Sequence, residues 1–134
     1  MKYRRQGSAL IEFAGSLILL TTVFMGIFQI AYAFFSYNAL VNSVRAGARY
    51  ASLQPPSPEL AKNVQNLTVY GEPTPAAAAS PVVPGLSANN IQVAFGPSTA
   101  TVSVRGFQLN SLLGQFKLDG RPSITFPLTS GAGK

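Results

Sequence analysis

Between Glu12 and Arg45 the chain carries no charge. The centre of that gap, FAGSLILLTTVFMGIFQIAYAFF (13–35), is 23 residues long. About 20 apolar residues suffice to cross a bilayer as a helix. The stretch holds twelve Leu, Ile, Val or Phe, and together they favour insertion by about 5 kcal/mol. The pattern then changes. In SYNALVNSVRAGARYASLQ (36–54), Tyr37, Leu40, Val41, Val44 and Ala48 recur at steps of three and four, while Asn38, Asn42, Arg45 and Arg49 recur on another face. That spacing predicts an amphipathic helix, stopped by Pro55 and Pro56. One helix from about Ser8 to Leu53 would be about 68 Å long. Its first half suits lipid on all sides. Its second half needs a partner, most simply the rest of the same chain.

The remaining segments are short. In PPSPELAKNVQNL (55–67), a turn leads into a short helix, with Ser57 as N-cap, Pro58 at its first position and Glu59 at its positive end. Leu60, Val64 and Leu67 share a face of it. NLT (66–68) matches a glycosylation acceptor, but the helical setting argues against that use. GEPTPAAAASPVVPGLSA (71–88) holds four prolines and five alanines and reads as a loop, open to being mobile. NIQVAF (90–95) and TATVSVRGF (99–107) alternate as strands around a GPS hairpin turn, with Gly106 as a candidate bulge. NSLLGQF (110–116) fits either a short helix or irregular chain. PSITFP (122–127) is a third strand, proline-bounded as an edge is. TSGAGK reads as a tail.

Charge changes the picture at one end. Ten Lys/Arg face four Asp/Glu. Lys2, Arg4 and Arg5 fall in the first five residues; the other seven bases, Arg45, Arg49, Lys62, Arg105, Lys117, Arg121 and Lys134, are scattered. A nucleic-acid binder concentrates its bases on its folded part, so no nucleic-acid partner is expected. The terminal cluster beside an apolar run places the N-terminus in the cytoplasm and the C-terminal part outside. Without Cys or His, a zinc site lacks ligands and a Cys nucleophile or His base is excluded. The four acids, Glu12, Glu59, Glu72 and Asp119, are far apart in sequence, whereas paired-carboxylate chemistry needs two at one bond. We therefore expect neither enzyme activity nor a cofactor.

Glu12 is the anomaly. A carboxylate at mid-bilayer costs about 2.5 to 3.5 kcal/mol; near a helix end the cost is smaller, and insertion still wins. Two plain readings compete for the run. One is a signal peptide cut at AYA (31–33), although the apolar stretch is longer than such peptides carry. The other is an uncut signal anchor, which leaves Gly7 and Glu12 unexplained. A third reading comes from GSALIEF (7–13), which resembles the processing site of type IV pilin-like proteins: a basic leader, Gly, a cut, and Glu fifth after it. RRQGSALIEFA, the apolar run and AFFSYNALVNSVRAGARYAS (33–52) together look like the TadE-like pseudopilins of tight-adherence (Tad/Flp) pili, with Arg45–Ala51 matching their small-residue Arg-x-Gly-Ala-Arg-Tyr-Ala motif.

The resemblance implies a division into a basic leader (1–7), a transmembrane helix half (8–35), an amphipathic half (36–54) and an extracytoplasmic domain (55–134). It implies an α+β, pilin-like fold, with the long helix packed under an antiparallel sheet of about three strands on Tyr37, Leu40, Val41, Val44 and Ala48. It implies cleavage between Gly7 and Ser8 by a prepilin peptidase. Glu12 would then pair with the new amine of a neighbouring Ser8 and set the register of assembly. The implied partners are that peptidase, other pilins, the lipid bilayer, and an inner-membrane assembly platform driven by a cytoplasmic ATPase. The location is a single pass through the inner membrane, and the pilus after assembly. A type II secretion pseudopilin and an uncleaved, signal-anchored interaction module are the alternatives.

Overall fold

The computed structural model describes residues 4–111 and 114–129, with side chains from 7 to 110 and from 114 to 129. Residues 1–3, where a leader was expected to start, 112–113 and 130–134, where a tail was expected, lie outside the described residues.

A single helix, α1 (Arg4–Ser52), forms the spine. It begins before Ser8, so residues 4–7, expected to belong to a leader, form its first turn. At 49 residues it spans about 74 Å. Thr21 and Thr22, the polar interruptions of the apolar run, donate their hydroxyls back to the carbonyls of Leu17 and Ile18, each at 2.8 Å. Such back-bonding leaves no unsatisfied hydroxyl for lipid. The helix stops before Pro55 and Pro56, and the Thr129 hydroxyl donates to the Ser52 carbonyl at 2.9 Å, satisfying one of the orphaned acceptors at its end.

Helix α2 (Pro58–Tyr70) turns back along α1. Ser57 accepts from the Leu60 N–H at 3.0 Å and Pro58 opens the helix. It runs three residues beyond the expected end. Gly71 stops it: at φ 81° its N–H reaches the Leu67 carbonyl, the left-handed cap that glycine adopts at least cost. The Pro/Ala-rich stretch after it is a loop as expected, but it is pinned. Val82 N–H donates to Val69 O at 2.8 Å, and Val83 and Leu86 enter the core.

Strands β1 (Ile91–Phe95), β2 (Thr99–Val104) and β5 (Ser123–Pro127) make an antiparallel sheet in the order β1-β2-β5. Val93 lies opposite Val102, and Val102 opposite Ile124. The alternation buries Ala100, Val102 and Val104. This sheet lies on the upper half of α1 through β2 and β5, while β1 packs on α2.

Two expectations are corrected. The second strand does not continue to Phe107. It ends at Val104, and Gly106, at φ 62°, turns the chain away. Nor are the described residues of 110–116 helical or irregular; 112 and 113 lie outside the described residues. Asn110, Ser111 and Gly114 to Phe116 belong to a second, two-stranded sheet formed by β3 (Phe107–Ser111) and β4 (Gly114–Leu118), with Leu109 opposite Phe116. Residues 107–110 and 115–118 each alternate apolar and polar, as a strand with one covered face does; the intervening Ser111, Leu112, Leu113 and Gly114 obscured that pattern in the sequence.

Candidate functional site: an exposed apolar helix and its junction with the folded domain

The core starts part-way up α1. Leu40, Val44, Ala48 and Ala51 are fully buried, together with Val64 and Val69 of α2 and Val102 and Val104 of β2. Below them the helix is bare. From Leu10 to Phe35 nearly every large apolar side chain is exposed, Phe24 by 68%. Soluble monomers rarely expose more than a few hundred Å² of contiguous apolar surface, so this half is built to be covered by something else. It is long and apolar enough to cross a membrane.

The residues singled out in the sequence fall into two groups. Gly7, Ser8 and Glu12 lie at the foot of α1, in continuous helix and exposed. A Cβ at Gly7 would meet no other atom within 4 Å, so nothing in the chain obstructs access there. Ser8 and Glu12 are one helical turn apart and share a face. The packing group sits some 40 Å higher by helical rise. Leu40, Val44 and Ala48 are buried and Val41 is half-buried, while Asn42 and Arg45 are exposed.

Tyr37 is a correction. It was expected under the sheet, yet it is 38% exposed. The three-stranded sheet lies higher on α1, and the β3–β4 hairpin below it stands off the helix. The space between them is a groove of about 280 Å³ lined by Gln29, Ile30, Ala33, Phe34 and Tyr37 from α1 and by Leu109, Phe116 and Leu118 from the hairpin.

Sequence reasoning missed the crossing of the two helices. Ser43 and Gly47 are buried on α1 beside the sheet-facing residues. A Cβ on Gly47 would collide with Thr68 Oγ1 and come within 3.5 Å of Val64 Cγ1. Thr68 is fully buried, its hydroxyl bonded to Val64 O at 2.8 Å. The RAGARYA stretch (45–51) thus has a structural content. Gly47 admits α2, Ala48 and Ala51 fill the core, and Arg45 and Arg49 stay outside on the far face beside Phe126. The signal was the run of small residues, Gly47, Ala48 and Ala51, at helical spacing. Asn66 of the NLT triplet is engaged within the fold, its amide donating to Pro73 O at 3.1 Å.

Residues 7–49 match the model of the family described as TadE-like protein. Over that span the chain is similar to TadE-like proteins. The match opens at Gly7 and closes at Arg49, so it follows α1 and stops short of α2 and the sheets. No curated protein and no solved structure matches the chain. The TadE-like segment therefore comprises the two groups of site residues and the bare helix between them.

Proposed function

We propose that this protein is a minor pilin, or pseudopilin, of a tight-adherence pilus, anchored and then assembled through α1. One observation carries the reading: the TadE-like match lies over a helix whose lower half is apolar and exposed on all sides. Lipid covers that half before assembly, and helices of other pilins cover it afterwards. The folded part, built on residues 36–129, stands outside the membrane, and the basic leader stays in the cytoplasm.

In this reading a prepilin peptidase cuts between Gly7 and Ser8. The bond lies in the first turns of α1, where glycine weakens the helix by about 1 kcal/mol relative to alanine, which eases the local opening a protease needs. Cleavage frees the α-amine of Ser8. An unpaired amine and the unpaired Glu12 carboxylate are both costly in lipid. In a helix bundle the amine of one subunit meets Glu12 of the next, and a charge-assisted pair in a water-poor setting is strong and directional. Glu12 is then the register device of assembly. The inner-membrane platform and its cytoplasmic ATPase supply the work of extraction, and the role of this chain is structural.

N-terminal sequencing of the membrane-extracted protein tests the proposal. Ser8 as first residue supports it. Met1 or Lys2, in cells holding a prepilin peptidase, identifies an uncut anchor and removes the pilin reading.

A further inference from the structure

The β3–β4 hairpin has two chemically distinct faces. Phe107, Leu109, Phe116 and Leu118 fall on one, and Gln108, Asn110, Gln115 and Lys117 on the other. The upper part of the apolar face is buried against the core through Phe107 and Leu109, but Phe116 is 53% exposed and looks into the groove. The opposite wall of that groove is Gln29, Ile30, Ala33, Phe34 and Tyr37. Ile30 to Phe34 belong to the apolar run itself. The hairpin therefore reaches below the top of the run by several residues, about 7 Å along the axis. At the same height Tyr32 and Tyr37 are exposed on α1, and tyrosine is enriched at the level of a membrane–water interface.

We propose that the β3–β4 hairpin is a second membrane contact: its apolar face lies at the acyl-chain boundary of the outer leaflet, and a lipid chain fills the groove beside α1. The proposal rests on the membrane-spanning reading of α1 and adds a docking element to it. Lipid is the occupant because the groove is continuous with the apolar surface of the run, so whatever covers Ile30 and Phe34 around the helix also covers them inside the groove. The polar face of the hairpin, with Lys117, points away toward headgroups and water. A helix anchored at one further point cannot tilt or rotate freely, so the hairpin holds the folded domain at a set height and angle above the bilayer.

The chain has no tryptophan, so single reporters can be placed. Phe116→Trp reports the hairpin, Leu118→Trp gives a second position on the same face, Phe24→Trp the middle of the run, and Val82→Trp the loop above. Each full-length variant is reconstituted at low protein-to-lipid ratio in phosphatidylcholine–phosphatidylglycerol vesicles, with and without acyl-brominated lipid. Blue-shifted emission with at least twofold quenching is expected for Phe24→Trp and for both hairpin variants, and water-like, unquenched emission for Val82→Trp. Water-like emission from both hairpin variants overturns the proposal. Blue-shifted but unquenched emission also overturns it, showing that protein, such as a second copy of the chain, covers the face. If Phe24→Trp is itself unquenched, the span reading fails first, and the two failures are told apart.

Discussion

At Gly47 a single missing side chain decides how two helices meet. Any Cβ there strikes Thr68 Oγ1, which is held by its bond to Val64 O. Gly47→Ala gains about 1 kcal/mol in helix propensity but loses about 1 to 3 kcal/mol by overpacking, so net destabilisation is expected. Thr68→Ala opens the space. In urea unfolding of the detergent-solubilised protein, the double variant should be more stable than the sum of the single effects allows, because contacting residues couple. Strict additivity would show that the two side chains do not compete. Val44 makes a sharper test of the helix face. Val44→Asp places an unpaired charge in a small core and should cost several kcal/mol. Asn42→Asp, on the exposed face, should cost little. Limited proteolysis of the two side by side should release the outer domain in the first only. Glu12 is a third single-residue test. Glu12→Leu should insert and be cleaved like the wild type but crosslink poorly to other pilins. Losing one side of a buried ion pair costs about 3 to 5 kcal/mol, around a thousandfold in a subunit-addition equilibrium. Wild-type crosslinking by the cleaved variant would mean that Glu12 does not set register.

Among the elements, α2 is the one most completely specified by its own ends. Ser57, Pro58, Glu59 and Gly71 occupy cap positions that local backbone chemistry prefers. Ser57→Ala removes the acceptor for the Leu60 N–H and should lower stability by about 1 kcal/mol, read as a lower urea midpoint with an unchanged slope. The long helix is specified differently. Its upper half is amphipathic, and three elements pack on its apolar stripe, β2 and β5 along one part of it and α2 beside them. Its lower half has no packed partner among the described residues other than the wall of the hairpin groove. The three-stranded sheet needs its apolar face covered to be stable; β2 is sandwiched by two neighbours and that face is closed by α1.

For the whole molecule, the division of labour is vertical. Among the described residues every buried hydrophobic residue of the core lies at Leu40 or beyond, so the apolar half adds little to the folding of the outer domain beyond its wall of the hairpin groove. A chain beginning at Ser36 should therefore fold by itself and melt in a cooperative transition by circular dichroism, although the uncovered groove will make it adhere to detergent or lipid. A non-cooperative melt would show that the lower helix is needed for the core.

How far the residues alone reach can be judged from particular segments. The 13–35 run, the offset faces of 36–54, the stop at Pro55–Pro56, the caps of α2 and the alternation in β1, β2 and β5 are local patterns. They are legible because helix and strand periods, turn residues and caps act over a few neighbouring positions. The GSALIEF stretch is legible as a motif, and the TadE-like match begins within it. Three features needed the folded chain. The hairpin at 107–118 was hidden because Leu112 and Leu113 interrupt its alternation. The Gly47–Thr68 crossing was hidden because residues 21 apart in sequence carry no shared periodicity. Tyr37 was misplaced because its helical phase puts it in line with Leu40 and Val44, while the distance of the sheet from the helix at that height is set by where Gly106 turns the chain. Periodicity tells which side of a helix turns inward; only the tertiary arrangement decides how far along that side the partner extends, and so which apolar residues are core and which are left for the membrane.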